Sequence, residues 1–148
     1  MSILRAIAVA FSTYSKIPMP QFPWKDEDMR YSMCFFPWVG AVIGGLVWGW
    51  FRLSAAFGIS MLTYVLIAAV IPLFVTGGFH VDGFMDTMDA FHSYQPRERK
   101  LEILKDSHVG AMAVIGAITL CILNFGIWWE LTDEMISVVA IGFFTSRV

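Results

Sequence analysis

Residues 53–79 read LSAAFGISMLTYVLIAAVIPLFVTGGF, a run that contains no charged side chain. An α-helix needs about 20 consecutive apolar residues to cross the hydrocarbon layer of a bilayer. The run is long enough for one crossing, which we predict near residues 57–76. This stretch therefore indicates a membrane helix rather than a helix of a soluble core.

Two further uncharged runs of similar length occupy residues 31–51 and 109–129. Of the 148 residues, 57% are hydrophobic and 15% are charged, with a mean hydropathy of +0.67. A soluble domain is about a quarter charged. We therefore predict an all-α, polytopic membrane helix bundle that forms a single domain over residues 1–148. Its spans lie near 31–51, 57–76 and 109–129, and an incomplete one begins at 135.

The placement of the charges predicts an orientation in the membrane. Basic residues precede the first run and separate the second from the third: Arg5, Lys16, Lys25, Arg30, Arg97, Arg99, Lys100 and Lys105. Only Arg52 lies between the first two runs, and acidic residues follow the third. By the positive-inside rule, the N-terminal segment and residues 77–108 face the cytoplasm. The expected partners are the lipid bilayer and small molecules, not nucleic acid.

The N-terminal 20 residues have a short apolar stretch and no cleavage site that would mark a signal peptide. We predict an amphipathic, interfacial helix that ends at Pro18 and Pro20. Cys34 and Cys121 fall inside apolar runs without a CxxC neighbour. They are predicted to be small buried residues rather than parts of a disulfide or zinc site.

Glycines recur at spacings of four in the first span, at Gly40 and Gly44 and again at Gly45 and Gly49. Small residues at this spacing allow two membrane helices to approach closely. Both pairs are therefore predicted to serve helix packing rather than chemistry.

The apolar run leads into GGFHVDGFMDTMDAFHSY, residues 77–94. If residues 81–90 are helical, Asp82, Asp86 and Asp89 project from one face. Their mutual repulsion needs compensation, which Mg²⁺ or Mn²⁺ supplies by binding carboxylate oxygens together with substrate phosphates. The simpler alternative to a metal site is that the three aspartates form a solvated polar helix face, with basic side chains as diffuse partners. Zinc bound with help from His80, His92 and His108 is disfavoured, because their spacing matches no closed zinc pattern.

Residues 97–112, RERKLEILKDSHVGAM, have the pattern of an amphipathic helix that abuts the third span. Lys105 is placed to contact a phosphate, and Asp106 to bind a metal or accept a proton. An equally good interpretation is a helix end that anchors the chain at the membrane interface.

These motifs resemble those of the adenosylcobinamide-GDP ribazoletransferase, or cobalamin synthase, family. The block GGFHVDGFMDTMDAF is similar to its Gly-Gly-x-His-x-Asp-Gly-x-x-Asp-Thr-x-Asp signature. LEILKDSHVGAMAVI resembles its Lys/Arg-Asp-Ser-Arg-x-Gly block, and FSTYSKIPMP and FFPWVGAVIGG resemble its opening segments. Ser146-Arg147 is similar to a Ser-Arg pair of a later helix.

The resemblance implies an Mg²⁺-dependent phosphotransferase of the bacterial inner membrane, with its active site facing the cytoplasm. The reaction joins adenosylcobinamide-GDP to α-ribazole or its 5′-phosphate and releases GMP. Asp82 and Asp86 would be the leading metal ligands, followed by Asp89 and Asp106, and these four form the implied catalytic set. The implied substrate contacts are His80, Lys105, Ser107 and Arg147. The sequence leaves a homo-oligomer open.

Some positions depart from the family pattern. Lys16 stands where Arg is usual, His108 replaces the Arg of the second block, and the family continues well beyond the Ser-Arg pair. Rival interpretations are an aromatic prenyltransferase, a CDP-alcohol phosphotransferase and a non-enzymatic cation-binding membrane protein. An aromatic prenyltransferase usually shows a second aspartate motif, and a CDP-alcohol phosphotransferase shows an Asp-x-x-Asp-Gly pattern. A cation carrier usually has ionisable groups inside its spans. The sequence shows none of these three features.

Overall fold

The structure is a computed structural model that describes residues 3–20, 23 and 26–148, with backbone only at 26–28. Lys25, one of the charges used to predict orientation, lies outside these residues. The helices are α1 (Ile3–Tyr14), α2 (Asp26–Ser32), α3 (Phe36–Phe57), α4 (Met61–Thr76), α5 (Phe79–His92), α6 (Arg97–Ile103), α7 (Ala111–Glu130) and α8 (Asp133–Thr145). A 3₁₀ turn, Met33–Phe35, joins α2 to α3. Every regular element in the described ranges is helical, which confirms the all-α class.

Two helical stretches are long and apolar enough to cross a membrane. They are Met29–Phe57, with 29 residues, and Ala111–Glu130, with 20 residues. A helix rises 1.5 Å per residue, so 20 residues cover about 30 Å, the thickness of the hydrocarbon layer. The predicted span near 31–51 lies within the first stretch, and the one near 109–129 overlaps the second, which begins two residues later at Ala111.

The middle span has a different form from the one predicted. Helix α4 has 16 residues, about 24 Å at the usual rise. It is followed by α5 at a bend of 89°, and the pair counts as a third span only if it is taken as one broken helix. The bend lies at Gly77 and Gly78, whose φ angles of +68° and +77° are left-handed. Glycine adopts this conformation without a steric cost, so the pair ends α4 and turns the chain.

Helix α3 lies at the centre and packs against α8 through two glycines. A Cβ at Gly40 would lie 2.0 Å from the carbonyl oxygen of Phe143, and one at Gly44 would lie 2.1 Å from that of Ala140. The first predicted glycine pair therefore serves close helix packing. The second pair does not, because a Cβ at Gly45 or at Gly49 would meet no described atom within 4 Å.

The helices bring several polar segments to one end of the bundle, here called the aspartate end. The backbone N–H of Lys16, beyond α1, donates to the carbonyl of Val75 at 2.8 Å, near the end of α4. Tyr14 packs on Phe36 at the start of α3, with ring centroids 4.5 Å apart, and Arg147 lies over the same ring at 5.7 Å. The α3–α4 and α7–α8 turns meet at the opposite end, where both line one cavity.

Two predictions about the apolar segments have different outcomes. Helix α1 forms and buries one face, with Ala6, Val9 and Ala10 fully buried, but it ends at Tyr14, before the prolines. The predicted burial of Cys34 and Cys121 is wrong, because both are free and exposed on the surface of the chain. Membrane helices are apolar on their lipid-facing side as well, so an apolar run does not reveal which of its residues are buried.

Candidate functional site

Helix α5 carries all three aspartates. It begins directly after Gly78, and the N–H of Asp82 donates to the Gly78 carbonyl at 2.9 Å in its first turn. Asp82 is exposed, whereas Asp86 and Asp89 are half-buried against the rest of the bundle. The condition on which the shared face depended, a helix over residues 81–90, is thus met, and the bend away from α4 places this helix at the aspartate end.

Asp89 has a role that the sequence did not reveal, since its carboxylate caps the N-terminus of α7. Oδ2 accepts from the Gly110 N–H at 2.6 Å, and Oδ1 accepts from the Ala113 N–H at 2.8 Å. A Cβ at Gly110 would lie 2.6 Å from these oxygens, so glycine leaves the space that the carboxylate needs. A helix that starts with Gly-Ala lacks a capping side chain of its own, which was the one signal in the sequence.

The carboxylates of Asp82 and Asp86 have no hydrogen-bond or ion-pair partner among the residues that the structure describes. Within the same ranges, no three His, Cys, Asp or Glu side chains are close enough to hold a metal ion. An all-protein metal cage, including the zinc alternative, is therefore not assembled there. Mg²⁺ is usually held by one or two carboxylates together with water and substrate phosphates. Two unpartnered carboxylates one helical turn apart fit that mode of binding.

Asp106 lies on the loop after α6, which ends at Ile103, earlier than the predicted amphipathic helix. Its Oδ1 lies 2.5 Å from His108 Nδ1 and accepts from the His108 backbone N–H at 3.1 Å. These bonds hold the pKa of Asp106 below its usual value and raise the pKa of His108. A carboxyl with a lowered pKa is a weaker proton acceptor, so this pairing favours a positioning role over that of a base.

The implied substrate contacts are distributed over three segments. Lys105 and Ser107 are exposed on the Asp106 loop, and His80 is exposed in the first turn of α5. Arg147 is half-buried at the end of α8, where its Nη1 donates to the Phe143 carbonyl at 2.6 Å. Its Nε is buried without a hydrogen-bond partner in the described part of the chain. Arg147 and α5 share the aspartate end, while the contacts of Lys105, Ser107 and His80 with a substrate stay predictions.

A polar cavity at the aspartate end was missed from the sequence. It is called the hinge cavity, has a volume of about 400 Å³, and is lined by Ser12, Thr13, Ser15, Lys16, Thr76, Gly77, Phe79 and Asp82. It therefore joins the end of α1 to the α4–α5 bend and to the first aspartate. The polar series STYSK, residues 12–16, was the only signal in the sequence, and its partners lie some 60 positions further along.

A larger groove of about 690 Å³ lies between α3 and α4, and its walls are almost wholly apolar. Its lining includes Gly45, Gly49, Trp50 and Phe74. Without a polar group in position, such a groove has the character of a lipid-facing surface. The hinge cavity is therefore the better candidate for chemistry.

Comparisons with a family model and with curated proteins point to one family. The family model described as CobS, cobalamin-5-phosphate synthase, matches residues 6–148. A Lachnoclostridium phytofermentans protein named adenosylcobinamide-GDP ribazoletransferase is 43% identical over 147 residues, covering 99% of this chain and 56% of that protein. Proteins of the same name from Brevibacillus brevis and Clostridium perfringens are 40% and 35% identical. The Brevibacillus brevis alignment covers 86% of this chain and 52% of that protein, and the Clostridium perfringens alignment covers 82% of this chain and 48% of that protein.

The chain spans about half the length of the curated relatives it matches. No solved structure matches it at a significant level. The family match nevertheless covers nearly every residue, including the aspartate helix, the Asp106 loop and Arg147. The chain belongs to the cobalamin-5-phosphate synthase family.

Proposed function

We propose that this chain carries the aspartate site of a membrane phosphotransferase that joins adenosylcobinamide-GDP to α-ribazole or α-ribazole 5′-phosphate. The observation that supports this most directly is the pair of unpartnered carboxylates, Asp82 and Asp86, on a helix at the aspartate end of an apolar bundle. Family membership and the names of the relatives supply the substrates.

The reaction breaks a phosphoanhydride bond and forms a phosphodiester bond. A ribazole hydroxyl oxygen attacks the phosphorus attached to cobinamide, and the bond from that phosphorus to the bridging oxygen of GMP breaks. GMP leaves with the bridging oxygen and its electron pair, while the hydroxyl proton passes to a carboxylate of the site. Such a transfer depends mainly on positioning and on neutralising phosphate charge.

Asp82 and Asp86 would hold Mg²⁺, which when bound neutralises the diphosphate and stabilises the departing GMP. Asp89, whose oxygens cap α7, fixes the helix that carries these two carboxylates. Asp106 keeps the Lys105–His108 loop in place through its bonds to His108. In this proposal Asp89 and Asp106 have positioning tasks, while Asp82 and Asp86 bind the metal and supply the carboxylate oxygen that accepts the hydroxyl proton.

The proposed location is the bacterial inner membrane, with the aspartate end facing the cytoplasm. In the described part of the chain, Lys16, Arg30 and the basic residues of α6 belong to segments at that end. Arg52 is the only described cation near the opposite end, which also carries Asp133 and Glu134. This bias is the one that the positive-inside rule requires.

The decisive experiment measures GMP release from adenosylcobinamide-GDP and α-ribazole 5′-phosphate in membranes, with Mg²⁺ or with a chelator. It uses this chain and a chimera completed with the remaining part of the L. phytofermentans relative. We expect Mg²⁺-dependent release that falls at least 100-fold in Asp86→Asn, because an amide binds Mg²⁺ far more weakly than a carboxylate. Glu134→Gln, at the opposite end, should leave the rate unchanged. Absence of GMP from the membrane-inserted chimera contradicts the proposal.

A further inference from the structure

We propose that the hinge cavity binds a phosphate group of a substrate and that Lys16 is the cation that holds it. This inference rests on the proposed function, which supplies phosphate-bearing substrates, and it assigns one of their groups to a site. The cavity volume of about 400 Å³ lies within the usual range of small-molecule sites.

Lys16 is the only cationic side chain that lines the hinge cavity in the described part of the chain. No hydrogen bond or ion pair joins its Nζ to any described residue, even though Asp82 lines the same cavity. A cation and a carboxylate that share a cavity without pairing leave room for a ligand between them. A phosphate held by Lys16 would lie beside the carboxylate proposed to bind Mg²⁺.

Of the four hydroxyls that line the cavity, only that of Ser12 makes no hydrogen bond in the described part of the chain, so Lys16 is the main group available to bind an anion. The hydroxyls of Thr13, Ser15 and Thr76 donate to carbonyls of their own helices, at 2.8, 2.6 and 2.8 Å. Their protons are therefore already committed. An anion needs donors or positive charge, and a lysine ammonium supplies both.

The backbone holds Lys16 in place at the bend. Its N–H donates to the Val75 carbonyl at 2.8 Å, and its alkyl chain crosses directly over Gly77. A Cβ at Gly77 would lie 2.4 Å from Lys16 Cε, whereas one at Gly78 would meet nothing within 4 Å. Gly77 is thus needed for the position of Lys16 as well as for the left-handed turn, and Gly78 for the turn alone.

The proposal is tested by phosphate binding to the purified chain in lipid nanodiscs, by calorimetry with Mg²⁺ present. The probes are GDP, which represents the nucleotide substrate, and α-ribazole 5′-phosphate, which represents the acceptor. Lys16→Met keeps the alkyl chain over Gly77 but removes the charge. We expect it to raise the Kd of at least one probe roughly 10- to 100-fold, the range for a lost hydrogen bond to a charged group.

Which probe is affected identifies the phosphate. A weakened GDP complex assigns the cavity to the diphosphate, and a weakened α-ribazole 5′-phosphate complex assigns it to the acceptor. Lys16→Arg should bind within a few-fold of the wild type, and Arg52→Met, at the opposite end, should bind equally well. If the wild type binds neither probe, or Lys16→Met binds both as tightly as the wild type, the proposal is overturned.

A second pair of variants separates position from charge. Gly77→Ala and Gly78→Ala both place a side chain at a positive φ, but only the first displaces Lys16. Binding should weaken further in Gly77→Ala than in Gly78→Ala, and equal losses contradict the assigned position. The result is independent of the GMP assay. If Lys16→Met weakens binding but no GMP is released, only the proposed reaction is contradicted. If GMP is released but Lys16→Met binds both probes as tightly as the wild type, only the inference about Lys16 is contradicted.

Discussion

At the scale of single residues, Asp89 shows that carboxylates of one motif can have different tasks. Its two oxygens accept the N–H groups of Gly110 and Ala113, which have no carbonyl partner within α7. Asp82 and Asp86 make no such bonds in the described part of the chain. A carboxylate is also favourable at this position because the N-terminus of a helix carries partial positive charge.

We therefore expect Asp89→Ala to destabilise the chain by about 1–2 kcal/mol, the usual cost of losing a helix N-cap. Asp89→Asn should cost less, since its amide retains one acceptor oxygen. Thermal unfolding in detergent measures the effect, and Asp82→Asn, whose carboxylate has no described partner to lose, is the matched control. If Asp89→Ala unfolds at the wild-type temperature, the cap contributes nothing and the residue returns to the set of metal ligands.

At the scale of secondary-structure elements, helices were predictable but their contacts were not. Apolar runs indicated α3 and α7 because that signal is local, whereas the helix that carries the aspartates was assumed rather than predicted. The 89° bend at Gly77 was not foreseen, nor was the contact of Lys16 with Val75, since both depend on residues distant in sequence. The prediction that Cys121 is buried was wrong for the same reason, because the sequence of an apolar helix does not show which of its sides faces lipid.

The contact between α3 and α8 gives a prediction at this scale. Gly44→Ala places a methyl group 2.1 Å from the Ala140 carbonyl oxygen, so the two helices must move apart. We expect a loss of about 1–3 kcal/mol, the usual cost of overpacking. Gly45→Ala, one position along the same helix, meets nothing within 4 Å and should leave stability unchanged or slightly higher. Thermal unfolding in detergent, monitored by tryptophan fluorescence, provides the comparison, and equal unfolding temperatures contradict the predicted packing.

At the scale of the whole molecule, the two ends of the bundle differ in chemistry. The aspartate end gathers the N-terminal segment, the bend, the Asp106 loop and Arg147, which are far apart in the sequence. The opposite end consists of two short turns that share an apolar-rich cavity. Between them lies α7, whose 20 residues cover about 30 Å. In a bilayer that α7 spans, a site at one end would therefore be accessible from one side only.

Cysteine labelling in spheroplasts tests which side that is, in a chain whose Cys34 and Cys121 have been replaced by alanine. Gln95→Cys lies beyond α5 near the aspartate end, and Thr132→Cys lies in the turn between α7 and α8. We expect a membrane-impermeant maleimide to label Thr132→Cys in intact spheroplasts and Gln95→Cys only after permeabilisation, because the basic segments favour the cytoplasm. The reverse pattern would place the aspartates outside, away from cytoplasmic nucleotides, and labelling of both from outside would mean that α7 does not cross the membrane.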